Sequence, residues 1–320
     1  MTTLQTIIAV IAAVALFLYA LQGFSRELQV AGGDTLREWL GRVTSNRWRA
    51  FAVGGVSTAV VQSSSAVTSL AVALVDARVI TFGASLAIML GAHVGTTATA
   101  WLVSFKLTGI GPLFIVLGTL LSMMPKRIAI FGKAAFYFGL VFFTLDLIGS
   151  ELRPLREHGM LAEWLQLAQV PILGILTGIV ITALVQSSSV TTGLAIVLVQ
   201  QGMLAPEAAI AIAMGANIGT STTALIASTA MKQSARRAAV ANLGFNLVGV
   251  TLFFPFIPAF AAAVIDASAS PGIAVAAAHL IFNVIVSTLF MLVLPRVEAL
   301  LAERFTNDAE VEAINRHQTP

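Results

Sequence analysis

Two short polar runs, set in otherwise apolar sequence, carry the residue types best suited to chemistry. Both read QSSS; their members are Gln62, Ser63, Ser64 and Ser65 in the first run and Gln186, Ser187, Ser188 and Ser189 in the second. Serine hydroxyls donate hydrogen bonds to anions, and hydroxyl and amide oxygens accept them without carrying charge. Neutral oxygens also suit a hard, weakly bound monovalent cation such as sodium. The two runs therefore predict binding of small ions.

The two runs belong to an internal duplication. At a constant offset of 124 residues, 54–99 aligns without a gap with 178–223, with 22 identities in 46 positions. The alignment also pairs GAHVGT at 91–96 with GANIGT at 215–220. Because the register is kept through a variable middle, the similarity indicates a repeated structural unit rather than chance resemblance of apolar sequence.

The composition is that of an integral membrane protein. Of 320 residues, 58% are hydrophobic and 10% are charged, and the mean hydropathy is +0.92. A soluble domain carries about 25% charged residues to cover its surface. The lipid bilayer is therefore the first predicted partner. The absence of cysteine excludes disulfides and thiolate metal sites, and the net charge of +3 gives no reason to expect nucleic-acid binding.

The polar runs must lie where protein or water can satisfy them, because hydrocarbon offers no hydrogen bonds. We therefore predict that 51–80 and 171–200 are re-entrant helical hairpins that turn at the serines. The segments that follow, 81–105 and 206–230, are predicted to cross the membrane as broken helices. In the first of these we expect the interruption at 91–97, where two glycines bracket polar residues.

The remaining sequence completes an all-α integral membrane protein. Further crossings are predicted at 4–24, 109–124, 128–149, 237–258 and 271–295, the last two each ended by proline. Charged residues with tryptophan predict an interfacial helix at 25–50 and an amphipathic segment at 151–170. The resulting domains are a first repeat at 1–124, a second repeat with a final helix at 125–295, and a cytoplasmic tail at 296–320.

Charge predicts the orientation in the cell membrane. This arrangement places 15 of the 18 Lys and Arg residues on the side that holds the tail, and such an excess marks the cytoplasmic side. We therefore expect the N-terminus outside and the C-terminus in the cytoplasm. Three crossings separate the two repeats, so the second is inverted. Full spans in place of the hairpins would also give inverted repeats, so charge leaves both arrangements open.

Inverted repeats with discontinuous helices are the architecture of secondary transporters that work by alternating access. The hairpin tips would meet at mid-membrane, where the second half-helices begin and aim free backbone N–H groups at the centre. This arrangement predicts an anion site that needs no arginine. Cation ligands come from the broken helices, namely Thr96, Thr97 and Thr99 in repeat one and Thr220, Ser221, Thr222 and Thr223 in repeat two.

The doubled QSSS, each followed by G-A-x-[VI]-G-T, resembles the type II sodium/phosphate cotransporter family over about residues 1–295. The resemblance implies sodium-coupled symport of inorganic phosphate, with sodium as the co-transported ion. It places phosphate at the hairpin-tip serines, to which we add Gln62. It also implies sodium-site positions in repeat two, at Gln186, Ser187, Asn217, Thr220 and Thr223; Thr96 and Thr99 are the repeat-one candidates.

Two features depart from the family pattern. His93 stands where the family has an asparagine, as repeat two has at Asn217. The segment 101–124 has no acidic residue, whereas animal members that carry net charge have an aspartate there. We therefore expect repeat two to hold the principal sodium ion. The family's Phe-Asn helices are matched by 242–246 and 279–283.

Other functions could draw on the same residues. A hydrolase could pair Ser64 with His93, but no acidic partner lies near them in sequence and no G-x-S-x-G turn is present. A channel usually requires a ring of selectivity groups from several subunits. We therefore expect no enzyme activity and no channel. A sodium-coupled carrier of another small oxyanion, or a phosphate exporter on the same scaffold, stays open, as does a homodimer.

Overall fold

The computed structural model describes residues 3–42, 46–105, 107, 109–152, 154 and 167–317. Within these ranges the regular structure is helical and no strand occurs, which confirms the all-α class. The helices are α1 (Thr3–Arg42), α2 (Arg47–Val61), α3 (Ser64–Asp76), α4 (Phe82–Ser104), α5 (Ile110–Ser122), α6 (Lys126–Leu152), α7 (Pro171–Val185), α8 (Ser188–Gln200), α9 (Pro206–Ser228), α10 (Gln233–Phe253), α11 (Ile257–Asp266) and α12 (Pro271–His317).

Six described helical stretches are long and apolar enough to cross a membrane. They are Leu4–Gly33, Phe82–Ser104, Ile128–Leu152, Pro206–Ser228, Gln233–Asp266 and Pro271–Leu300. The shortest have 23 residues, a rise of about 35 Å against a hydrocarbon core of about 30 Å. The chain is therefore a multi-pass membrane protein. Helix α5, expected to cross at 109–124, has only 13 residues and is not among the six.

Helices α4 and α9 lie at the centre of the protein. Of their most apolar stretches, 78% of α4 and 72% of α9 are buried, against 28% for α6. Each central helix packs against the two helices that precede it: α2 and α3 for α4, and α7 and α8 for α9. The central helices therefore meet protein rather than lipid over most of their surface, which explains why polar residues are tolerated in them.

The helix pairs α2–α3 and α7–α8 turn at the QSSS runs. Helix α2 ends at Val61 and α3 begins at Ser64; in the second repeat, α7 ends at Val185 and α8 begins at Ser188. Both turns lie where the sequence predicts a hairpin tip. The passage of these pairs into a membrane remains a prediction.

The predicted breaks in the central helices are wrong. Helix α4 runs without interruption from Phe82 to Ser104, and α9 does so from Pro206 to Ser228. The glycines serve close packing instead: a Cβ on Gly91 would collide with the carbonyl oxygen of Phe51 in α2. The hydroxyl of Thr96 donates to the carbonyl oxygen of Ala92 at 2.8 Å. The polar side chain is thus satisfied within an unbroken helix, as is common for threonine.

The same close packing recurs in the second repeat at an offset of 124 residues. A Cβ on Gly54 would meet the carbonyl oxygen of Ile88, and one on Gly178 would meet that of Ile212. The equivalent of Gly91 against Phe51 is Gly215 against Ile175. Small residues that bring helix backbones together are a common feature of membrane helix interfaces. The two repeats therefore share the same packing, of α2 on α4 in the first and of α7 on α9 in the second.

Two helices extend further than the sequence predicts. Helix α1 continues from Thr3 to Arg42, so 25–42 prolongs the first helix and is not a separate interfacial one. Helix α12 continues through Pro295 to His317, so proline does not end it at 295. A proline inside a helix removes one backbone hydrogen bond, and a membrane helix tolerates this loss when neighbouring groups compensate.

The prediction that proline ends the crossing at 237–258 agrees better with the structure. Helix α10 ends at Phe253, and the 3-10 turn Phe254–Phe256 leads into α11. Prolines occupy early positions of both elements, Pro255 in the turn and Pro258 in α11, where a missing N–H is tolerated. The amphipathic segment predicted at 151–170 lies mostly outside the described residues.

Candidate functional site

The two QSSS turns share one local geometry. Gln62 has φ 57° and ψ 31°, and Gln186 has φ 57° and ψ 29°. Such left-handed conformations are uncommon for residues other than glycine. In each case the backbone N–H donates to the threonine carbonyl four residues earlier, Thr58 at 2.8 Å and Thr182 at 2.6 Å. The backbone turns at these glutamines and positions the serines that follow.

The serines of both turns line one cavity of about 540 Å³. Its wall is formed by Leu21, Gln22, Ser25, Arg26, Gln29, Gln62, Ser63, Ser64, Ser65, Leu184, Val185, Gln186, Ser187, Ser188, Ser189, Val190 and Thr223. The fold thus brings together two polar runs that are 124 residues apart in the sequence. All seven residues predicted to bind phosphate lie on this wall.

The first residues of two helices contribute to the cavity wall. Ser64 and Ser65 begin α3, and Ser188 and Ser189 begin α8. The first turn of a helix has N–H groups without partners inside the helix, and it carries a partial positive charge. Together with the serine hydroxyls, these N–H groups place hydrogen-bond donors from both turns at the cavity. Such a wall suits an anion.

The two turns differ in how their first serine is used. Ser63 caps α3, with its Oγ accepting the N–H of Ala66 at 3.2 Å. Ser187 stands at the equivalent position of α8 but makes no side-chain capping bond. The hydroxyl of Ser187 is therefore available to the cavity, whereas that of Ser63 is partly engaged.

Helix α1 supplies a polar face that the sequence prediction did not include. Gln22, Ser25, Arg26 and Gln29 line the cavity. Ser25 Oγ donates to the carbonyl oxygen of Val61 at 3.1 Å, which holds α1 against the end of α2. Gln29 Nε2 donates to Ser25 Oγ at 3.0 Å. The spacing of i, i+3, i+4 and i+7 places these four residues on one helix face, and that spacing was the signal that could have revealed them.

The predicted sodium residues divide into two groups. Gln186, Ser187 and Thr223 lie on the cavity wall. The hydroxyl of Thr223 donates to the carbonyl oxygen of Thr220, and that of Thr220 donates to Ala216 at 2.9 Å. Repeat two therefore has oxygen-bearing side chains both at the wall and directly behind it.

The repeat-one candidates are engaged with the protein itself. Thr99 Oγ1 donates to Gln62 Oε1 at 2.8 Å, and Gln62 Nε2 donates to the carbonyl oxygen of Ala59 at 2.6 Å. The hydroxyl of Thr96 is bonded within α4, as described above. Neither Thr96 nor Thr99 lines the cavity.

Asn217 belongs to a buried network away from the cavity wall. Its Nδ2 donates to Asn283 Oδ1 at 3.0 Å, and its Oδ1 lies 3.2 Å from His279 Nε2. Asn246 Nδ2 links Ser221 Oγ, at 2.8 Å, to His93 Nε2, at 3.4 Å. These side chains join α4, α9, α10 and α12 in the protein centre. Asn217 does not line the cavity wall that Gln186, Ser187 and Thr223 share, and its part in a sodium site stays a prediction.

The described contacts give no support to a serine hydrolase. Ser64 lies on the cavity wall, while His93 lies in the buried network next to Asn246. No hydrogen bond between Ser64 and His93 is found in the described part of the chain. A nucleophile and its base need hydrogen-bond contact, so this pair lacks the first requirement of that chemistry.

The fold and the cavity define a multi-pass helical membrane protein with a duplicated polar site. The sequence matches the family described as Na+/Pi-cotransporter over residues 16–150 and again over 156–292. The chain therefore belongs to that family, which confirms the resemblance, and the family is one of transporters rather than enzymes. No solved structure matches the chain.

Relatives of the chain occur in bacteria and animals. It is 29% identical over 283 residues to "Uncharacterized protein YqeW" of Bacillus subtilis, covering 87% of this chain and 92% of the relative. It is 29% identical over 255 residues to "Putative inorganic phosphate export protein YjbB" of Escherichia coli, covering 79% of this chain and 47% of the relative. Human "Sodium-dependent phosphate transport protein 2B" is 35% identical over 97 residues, covering 29% and 14%.

Proposed function

We propose that the chain is a sodium-coupled secondary transporter of inorganic phosphate that works by alternating access. The observation that carries this proposal is the convergence of both QSSS turns on one cavity. A tetrahedral oxyanion offers acceptors in several directions, and the wall offers hydroxyl and N–H donors from two elements. The family supports phosphate as the anion and sodium as the coupled ion.

In this proposal phosphate binds between the two hairpin tips. Ser63, Ser64 and Ser65 approach it from one turn, and Ser187, Ser188 and Ser189 from the other. The partial positive charges at the starts of α3 and α8 stabilise the anion without moving with it. Sodium binds on the repeat-two side of the cavity, where Gln186, Ser187 and Thr223 supply neutral oxygens.

The lengths of the hairpin helices support re-entrance. Helices α2 and α3 have 15 and 13 residues, a rise of about 22 and about 20 Å, which is less than a hydrocarbon core of about 30 Å. Helices α7 and α8 have the same two lengths. We infer that each pair enters and leaves on one side. The inversion of the repeats, with the N-terminus outside and the C-terminus in the cytoplasm of the cell, is inferred from the charge distribution, and it requires the equally short α5 to cross. Association as a homodimer stays a prediction.

The decisive experiment is uptake of radiolabelled phosphate into proteoliposomes with sodium on the outside only, on the inside only, or replaced by potassium. We expect saturable flux that requires sodium. The double variant Ser64→Ala/Ser188→Ala should lose most of it while still reconstituting normally. Equal flux in potassium would refute sodium coupling. Unchanged transport kinetics in the double variant would show that these serines serve packing and do not bind phosphate.

Two alternatives share the same scaffold. The Escherichia coli relative carries a name that refers to phosphate export, which favours net outward transport as the second candidate. Loading vesicles with labelled phosphate and following its release under each sodium gradient measures the preferred direction. Competition by unlabelled sulfate or arsenate tests the other alternative, a carrier of a different small oxyanion.

A further inference from the structure

Arg26 is the residue with a formal charge on the described wall of the QSSS cavity. It lies on the polar face of α1, between Gln22 and Gln29, and all three line the cavity. Its neighbour Ser25 is hydrogen-bonded to the carbonyl oxygen of Val61, next to the first QSSS turn. The backbone at Arg26 is therefore fixed beside the hairpin tip, and the long side chain is exposed.

The position of Arg26 requires an explanation, because it lies within the apolar stretch Leu4–Gly33. An arginine inside a membrane span is costly unless it faces water or an opposite charge. No ion pair of Arg26 is found in the described part of the chain, and no described wall residue is acidic. Glu27 follows directly on the same helix, and adjacent helical residues do not face each other. Among the described residues, the cavity wall thus carries a cation and no protein anion to match it.

We propose that Arg26 is a ligand of the transported anion; this inference rests on the proposed function. A guanidinium group donates parallel N–H bonds to two oxygens of a tetrahedral oxyanion, and such charge-assisted bonds are stronger than neutral ones. Serine hydroxyls and helix N-termini hold the remaining oxygens from the hairpin side. Arg26 also supplies a full positive charge, where each helix end supplies only about half a charge.

A second, smaller cavity allows a competing explanation. Arg26, Gln22 and Gly23 line a space of about 180 Å³ together with Tyr19 and Tyr137, whose hydroxyl oxygens are 3.5 Å apart. In this alternative Arg26 only supports the tyrosine pair of α1 and α6. The two roles differ in their dependence on charge, because packing depends on shape and anion binding depends on the cation.

The test compares Arg26→Gln, Arg26→Lys and Arg49→Gln in the sodium-driven phosphate assay. Arg49 is exposed at the start of α2 and does not line the cavity, so it controls for the loss of one cationic side chain. We expect Arg26→Gln to raise the phosphate KM by about tenfold or more, given the strength of hydrogen bonds to charged groups. Arg26→Lys should raise it less, and Arg49→Gln should leave it unchanged.

Chemical restoration of the charge separates binding from packing after the protein has folded. The chain has no cysteine, so Arg26→Cys gives a single reactive site. Modification of Arg26→Cys with 2-aminoethyl methanethiosulfonate adds a cation and should lower the raised phosphate KM of this variant. Modification with methyl methanethiosulfonate adds no charge and should not lower it. Equal effects of the two reagents, or a KM for Arg26→Gln equal to that of Arg49→Gln, would overturn the inference while phosphate flux in the wild type upholds the proposed function. Absence of that flux would overturn both.

Discussion

Thr99 donates its hydroxyl hydrogen to Gln62 Oε1 at 2.8 Å, but the equivalent pair in repeat two is not joined in this way. Thr223 donates instead to the carbonyl oxygen of Thr220, and Gln186 is exposed to the cavity. The two repeats share one backbone plan but use the same side chains differently. In repeat one the side chain of Gln62 is bonded to the central helix α4, whereas in repeat two the side chain of Gln186 is exposed.

This difference predicts unequal effects on sodium dependence. Thr223→Ala should raise the half-activating sodium concentration about fivefold, since an oxygen ligand near a desolvated cation is lost. Thr99→Ala should change sodium activation less and should instead raise the phosphate KM, because it releases Gln62 next to the serines. Sodium titrations of phosphate flux at saturating phosphate measure the first effect.

Thr220→Ala and Thr96→Ala form a second matched pair of variants, one helical turn before Thr223 and Thr99. Both hydroxyls are bonded to a carbonyl of their own helix, so helix stability should change equally. A larger loss of sodium activation in the repeat-one variants would show that the principal cation site lies near His93 rather than Gln186.

The first serines of the two turns should separate stability from transport. Ser63→Ala removes a capping bond to Ala66 and should cost about 1 kcal/mol of stability. Ser187→Ala removes no capping bond, so its unfolding midpoint should stay unchanged while its transport falls. Thermal unfolding in detergent, followed by flux on the same preparations, measures both. Equal destabilisation would mean that the Ser187 hydroxyl is also structural.

The central glycines should be intolerant of a methyl group. Gly91→Ala and Gly215→Ala place a Cβ against a backbone carbonyl oxygen of the packed helix, where no side chain can move aside, and should cost about 1–3 kcal/mol. Gly244→Ala is the control, because a Cβ there meets nothing within 4 Å and α-helix propensity improves by up to about 1 kcal/mol. Unfolding midpoints of the three variants give the comparison. A stable Gly91→Ala protein would contradict the packing role.

The orientation is testable with single cysteines, since the chain has none. Arg49→Cys should react only with an impermeant thiol reagent that reaches the cytoplasm, and Asp266→Cys only from outside. Both positions are exposed. Labelling of intact cells and of inverted vesicles provides the two arms. Reversed accessibility would contradict the charge argument and the hairpin arrangement that depends on it.

The turns were predictable because polar residues in a membrane segment restrict where that segment can lie. Four polar residues in an apolar run need a place away from lipid, and the duplication showed that Gln62 and Gln186 share that place. The continuity of α4 and α9 was not predictable, because glycine next to threonine is found both at helix breaks and in closely packed helices. Gly91 could end a helix or bring two helices together, and only the position of Phe51 in space decides between them.

Arg26 was missed for a different reason. Its charge was attributed, with its neighbours, to an interfacial helix at 25–50, and nothing local in the sequence shows that α1 continues to Arg42. Once α1 is continuous, Arg26 and Gln29 fall on the face that carries Ser25. The location of that face depends on the contact with Val61, which is distant in sequence and independent of helix propensity.

The contacts of Gly54 with Ile88 and of Gly178 with Ile212 also bear on how the protein can move. A backbone-to-backbone contact has no rotamers through which it could adjust, so α2 with α4, and α7 with α9, behave as two stiff arms. Any motion that opens the cavity to one side and then to the other must leave both arms intact. If the cavity opens alternately as proposed, we expect bending at the left-handed residues Gln62 and Gln186, beside the proposed ion site.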